Sequence, residues 1–388
     1  MNPSLRRFVF VPAVLAAFLV AVLAGGCALP IRHTEPAVAL PASWSEATAR
    51  GADVVALEAE WWRRFDAEEL PRLIDEAFAG SPDLAVAAER VLQAEIAMRN
   101  AGASLFPSVN LDVATSAGRS FSSGSGSSRP ESSNLSLGVS YEIDIWGSNY
   151  ASREAARAQF RASSHDYEAA RLSLAAGVVN AYAQVLASRA RLAIARENLA
   201  IAERLFKIVE ARYRHGAVSA LDVSRQRSTV LSQRDAILPL EVQTRESLRA
   251  LALLLGRLPD GLEIGLAGLD RLAIPEPDPE LPSELLLRRP DLAAAEARLA
   301  AADANVVVAR AALFPLKLSL GASAGLASGE FGLLGLANPS NAANLTLSLM
   351  QAVFDGGRLR GQVEISESQR RQLLEGYRST VLTALKEV

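Results

Sequence analysis

The sequence predicts an α+β membrane chain built twice from one unit of helix, strand, loop, strand and long helix. Three observations carry that prediction. Pro290 to Pro315, PDLAAAEARLAAADANVVVARAALFP, repeats the register of Pro82 to Pro107, PDLAVAAERVLQAEIAMRNAGASLFP, with 12 identities over 26 residues at an offset of 208 and the same PDL and LFP ends. Leu135, Leu137, Val139, Tyr141, Ile143 and Ile145 alternate strictly with Asn134, Ser136, Gly138, Ser140, Glu142 and Asp144, a run about as long as a tilted membrane-spanning strand. Ala151 to Arg214 contains no Pro and only Gly177, so an unbroken helix there would reach roughly 95 Å at about 1.5 Å per residue.

Arg6 and Arg7 precede an apolar run from Phe8 to Leu23, followed by Ala24, Gly25, Gly26 and Cys27. A transmembrane anchor is the rival reading, but the run is shorter than the roughly 20 apolar residues a spanning helix needs. Residues 1–26 therefore read as an export signal. Residues 27–81 form an anchor and wrapping segment, Pro- and Ala-rich without period as far as Ala59. Glu60-Trp61-Trp62 opens a helix with Leu70, Leu73, Ile74, Ala77 and Phe78 on one stripe. Ser81 is placed to cap the next helix and Pro82 to occupy its first position.

Residues 82–257 form the first repeat. Its Ala-rich helix is closed by Pro107, and Ser108 to Gly118 then alternates, with Val109, Leu111 and Val113 on one face. RSFSSGSGSSRPESS reads as a flexible polar loop before the second strand. The long helix ends at Tyr213-Arg214-His215-Gly216, where Gly216 can take the left-handed conformation. Ser219 and Asp222 then have capping-box spacing, which makes a helical hairpin tip. The return helix runs toward Leu255-Gly256 with a kink at Pro239.

Residues 258–289 are a Pro-rich linker, and 290–388 the second repeat. There Leu316, Leu318, Leu320 and Ala322 alternate with Lys317, Ser319, Gly321 and Ser323. Leu345, Leu347, Leu349 and Val353 do so with Asn344, Thr346 and Ser348. Two soluble hairpins packed on helices are the alternative for these strand pairs.

Half the residues are apolar, 6% are aromatic and the net charge is -3. A basic nucleic-acid surface is excluded on that balance, and the Ala-rich, aromatic-poor composition suits closely packed helices. Cys27 is the only cysteine, so no intrachain disulfide forms. Its place after Gly25 and Gly26 resembles a bacterial lipobox, with Ala24 where the commonest form has Leu. The resemblance makes Cys27 the lipid-attachment site, and Ala28 after it points to the outer membrane.

Leu286-Leu287-Arg288-Arg289-Pro290-Asp291-Leu292, Phe314-Pro315, the Tyr213 to Asp222 tip, Trp61-Trp62 with Phe65, and Phe354-Asp355-Gly356-Gly357-Arg358 resemble the TolC-like outer-membrane efflux channels. The likeness runs from Cys27 onward and is to their lipoprotein branch, which serves resistance-nodulation-division (RND) pumps. It implies a homotrimer in which each protomer gives four transmembrane strands to a shared 12-stranded barrel, continued by a long periplasmic α-helical barrel. Four strands cannot close a barrel by themselves.

The implied function is the exit duct of a tripartite system exporting drugs or other small molecules. Its partners would be a periplasmic adaptor and an inner-membrane RND-type pump. A type I secretion duct and a soluble periplasmic coiled-coil adaptor or scaffold lipoprotein are the alternatives. The family pattern has a second tip, and the chain stops at Val388 within the helix leading to it. The second repeat is therefore expected to be truncated at its C-terminus, with the aperture acids beyond Val388.

No enzyme chemistry is expected. His33, His165 and His215 lie far apart with no carboxylate or Cys at metal-ligand spacing. There is no phosphate-binding Gly loop and no Gly-x-Ser-x-Gly elbow, so no catalytic residue, metal or cofactor is expected. Candidate lumen residues are Asp112, Glu142, Asp144 and Lys317, which fall on polar strand faces. Tyr213, Gly216, Ser219, Leu221 and Asp222 are the candidate adaptor contacts at the tip. For Asp222 the alternatives are a lumen charge or a cap for Ser219; for Tyr213, an adaptor contact or packing within the hairpin.

Overall fold

The structure, a computed structural model, describes residues 28–34, 60–122, 126–128, 130–259, 261–265, 268–274, 288–314, 316–331 and 340–387. Cys27, the PEPDPELP stretch, Leu286, Leu287 and Pro315 lie outside the described residues. The chain divides into two compact units. One joins residues 92–162 and 292–383 with the N-terminal segment, and the other holds 39–91, 163–291 and 384–388.

The first unit is built on a four-stranded antiparallel sheet. Its strands are β1 (Ser108–Ala117), β4 (Glu131–Ile143), β5 (Lys317–Ser328) and β6 (Ser340–Met350), in the order β1-β4-β5-β6. The two strand pairs that the sequence repeat predicts are therefore joined through β4 and β5 into one surface. Within the predicted polar loop, β2 (Ser120–Ser122) and β3 (Gly126–Ser128) pair as a short ribbon. Two other boundaries move. β4 ends at Ile143, so Asp144 and Ile145 leave the strand, and β6 ends at Met350, short of Val353.

Each strand pair is preceded by a 22-residue helix of the repeat, α2 (Pro82–Ala103) and α6 (Pro290–Ala311), and followed by a long one. These are α3 (Ser148–Arg214) and α7 (Arg358–Glu387). Ala151, Ala155, Ala158 and Ala162 of α3 are buried at a spacing of three to four, so small side chains line one stripe of that helix. Arg310 of α6 pairs with Glu367 of α7 at 2.7 Å.

The second unit has the larger apolar core. Leu70, Leu73, Ile74 and Ala77 of α1 (Glu69–Gly80) pack with Val178, Tyr182 and Val185 of α3, and with Leu251 of α5 (Ile237–Leu254). The stripe predicted from Trp61 is split. Trp61–Phe65 is a short 3-10 turn, and Asp66, at φ 53, takes the backbone out of helical geometry before α1 begins.

The return helix divides into α4 (Ala220–Asp235) and α5 rather than bending as one. Pro239 has no N–H for the Asp235 carbonyl and its ring crowds that oxygen, so the break falls one turn before the proline. The start of the linker is docked: Arg189 donates to the Ile264 and Gly265 carbonyls, and Gly265 N–H donates to Glu69. Among the described residues no helix is long and apolar enough to cross a membrane.

Candidate functional site

The sheet sorts its side chains into two faces in every strand. Val109, Val139, Ala322 and Leu345 stand in one cross-strand row, and Leu111, Leu137, Ala324 and Ala343 in another. Ile143, Leu318 and Leu349 continue the same face at one end. Among the described residues nothing covers this face; Leu111 is 67% exposed and Leu345 78%. Apolar area of that extent is stable only against lipid or another protein.

The opposite face carries rows of short polar or small side chains. Ser108, Ser140, Gly321 and Thr346 form one, and Asn110, Gly138, Ser323 and Asn344 another. Asp112 stands on this face in a row with Ser136 and Gly325. Glu142 and Lys317 meet across β4 and β5 at 3.7 Å. Three of the four candidate lumen residues thus share one face. Asp144 does not: beyond the end of β4, its carboxylate accepts from the Tyr150 N–H at 2.8 Å and caps the start of α3.

An aromatic band closes one end of the sheet, a feature the strand patterning left unread. Phe106, Trp146, Phe314 and Phe354 lie just outside β1, β4, β5 and β6, all at the end from which the helices leave. Trp146 stacks on Phe314 at 4.7 Å, and its indole N–H donates to the Leu316 carbonyl. Phe106 and Phe354 are exposed. Aromatic rings at this level are the girdle that membrane barrels place at a water interface. The signal was an aromatic within four residues of the same end of every strand.

At the hairpin tip, Gly216 at φ +74 ends α3. Its N–H donates to Tyr213 and that of Ala217 to Arg212, the two bonds of a Schellman ending. Ser219 then caps α4 through a complete capping box with Asp222. The Ser219 hydroxyl and N–H hold the Asp222 carboxyl below the usual carboxylate range, so the capping role is realised. Tyr213 and Leu221 are exposed at this tip. Among the described residues no group of three or more His, Cys, Asp or Glu could hold a metal ion.

The outer membrane efflux protein family matches residues 73–257 and 281–388. The chain belongs to that family. The pyoverdine export outer membrane protein OpmQ of Pseudomonas aeruginosa is 38% identical over 376 residues, which cover 94% of this chain and 78% of OpmQ. Outer membrane protein OprJ of the same organism is 32% identical over 383 residues, covering 96% and 79%. Among solved structures, a membrane protein from Pseudomonas aeruginosa aligns with a TM-score of 0.81 at 30% identity, over 93% of this chain and 82% of that one. The outer-membrane channel OprN aligns with a TM-score of 0.78 at 29% identity, over 92% and 81%.

The fold of this efflux channel is therefore the family's. Three copies of the four-stranded sheet make a shared twelve-stranded barrel of a trimer, continued by a helical barrel. The channel sits in the outer membrane and reaches into the periplasm as the outer-membrane component of a tripartite pump.

Proposed function

We propose that this channel is the exit duct through which an RND-type pump releases small molecules, with a secreted metal chelator of the pyoverdine type as its first cargo. The observation that carries the duct reading is the two-faced sheet. Its apolar rows meet lipid, and its polar rows, with Asp112, Glu142 and Lys317, meet water. Short Ser, Gly, Ala and Asn side chains leave such a lumen wide and give it little to grip, so selectivity is coarse. The cargo reading is supported by two relatives named for pyoverdine export, at 38% and 39% identity, in Pseudomonas aeruginosa and Pseudomonas putida.

The tip, with Tyr213 and Leu221 presented on the frame of Gly216, Ser219 and Asp222, takes the periplasmic adaptor. The inner-membrane pump supplies the energy, and the duct itself makes and breaks no bonds. Cys27 carries the lipid anchor. The test is to delete the gene in its own host and measure chelator in the medium and periplasm of iron-starved cells. Retention in the periplasm, reversed by the intact gene, is the expected result. Unchanged export of the chelator with raised antibiotic sensitivity would move the cargo to drugs, and no change in either would sink the duct reading. Cysteines placed at 112, 142 and 317 should react with a polar thiol reagent in the assembled channel.

A further inference from the structure

The strap Ala28–Thr34, directly after the acylation site, is fastened at both ends. At one end the Leu29 N–H donates to the Trp146 carbonyl at 3.3 Å. Ala28 lies against Gly147, where an added Cβ would stand 3.3 Å from the Ala28 Cβ. Gly147 also has φ +74, so both its conformation and its contact favour glycine. At the other end Thr34 gives both its donors to one carboxylate. Its N–H reaches Asp303 Oδ2 and its hydroxyl Asp303 Oδ1, each at 2.7 Å.

Asp303 is 3% exposed and sits in the middle of α6, between the buried Ala302 and Ala304. Helix packing at that position asks for another small apolar side chain. A carboxylate buried there without donors is strongly unfavourable, and the donors the structure provides come from 269 residues away. The matching position of the first repeat, Glu95, is only half-buried.

We propose that Asp303 is the receptor for the N-terminal strap, and that this latch holds Ala28, one peptide from Cys27, level with the aromatic band at Trp146 and Phe314. The placement of the anchor rests on the acylation reading above; the latch itself does not. Acyl chains on Cys27 then enter the leaflet beside the barrel wall, and anchor and barrel move as one body. Thr34 suits the seat because one residue supplies two donors to the two carboxylate oxygens. Valine would lose one of them, and asparagine at 303 would remove the negative charge that strengthens both bonds.

Arg32 makes the latch measurable, because it is exposed yet lies between the two fastenings. A protease cleaves such a bond only after the segment opens locally. The purified trimer in detergent is treated with trypsin, and cleavage after Arg32 is followed by mass spectrometry in wild type, Asp303→Asn, Thr34→Val and the double variant. We expect cleavage at least about tenfold faster in each single variant, with the double no faster than Asp303→Asn because both act on one interaction. Cleavage after Arg214 at the tip should stay unchanged.

Wild-type rates after Arg32 in both single variants would overturn the latch. So would equal acceleration after Arg32 and Arg214, which marks general loosening. Thr34→Val leaves Asp303 in place and keeps the test open should Asp303→Asn fail to fold. The released peptide beginning at Cys27 also carries any acyl group. An unmodified mass would overturn the placement of the anchor, while the trypsin rates still decide the latch.

Discussion

α2 and α6 are one element used twice, and their surroundings differ. α6 buries twelve of its 22 residues, whereas α2 buries Leu84 alone. The sheet explains the difference. α6 leads into β5, an inner strand, and α2 leads into β1, an edge strand. α6 is accordingly apolar around most of its circumference. α2 alternates Glu89, Arg90, Glu95 and Arg99 with the exposed Val86, Leu92 and Ile96. A repeated register thus specifies the helix, while position in the sheet decides what covers it. In the trimer, the neighbouring protomer is what lies beyond β1.

The largest effect should come from charging the exposed stripe. Leu92→Asp with Ile96→Asp should abolish the trimer while leaving helix content unchanged, read by native mass spectrometry and circular dichroism; an intact trimer would mean that α2 meets solvent instead. Next in size is a matched pair of truncations. Leu299, 1% exposed, and Val91, half-buried, hold the same position of the repeat. Leu299→Ala should destabilise by about 2–5 kcal/mol and Val91→Ala by less than about 1 kcal/mol, from denaturant titration of the purified trimer.

The smallest effect is electrostatic. Arg310 holds the Glu367 carboxyl below its ordinary range, while the matching positions of the first repeat are Gly102 and Gln159. Because the folded value is depressed, this pair's contribution is present above the ordinary Glu range and is lost as pH falls through the folded value. Glu367→Gln should remove that portion of acid sensitivity, with a change of at most about 1 kcal/mol at neutral pH for a partly exposed pair. Thermal scans between neutral and acid pH would read both the acid and the neutral effect.

The sequence made legible whatever repeats locally. The two LFP-ended helices, the alternating strands and the Gly216 to Asp222 tip each have a period or a turn chemistry that a short window contains. What it hid depends on distant partners or single backbone angles. Asp66 interrupts the helix by one left-handed φ inside an apolar stripe, and the linker docks because Arg189 and Glu69 happen to lie beside residues 264 and 265. Asp144 read as a lumen residue because alternation does not say where a strand stops; its bond to Tyr150 does. The link from Thr34 to Asp303 has no local signal at all, since Asp303 is one of three carboxylates in an Ala-rich helix.

Among the described residues of one chain, β1 and β6 each pair with a strand on one side only. In hydrocarbon those free amides have nothing to bond to, and in water they invite pairing with any passing strand. Crossing the membrane and finding two sister chains therefore belong to a single event. Its rate depends on how many protomers the periplasm holds at once, so expression level enters the folding equilibrium of this channel in the way that a ligand's concentration would.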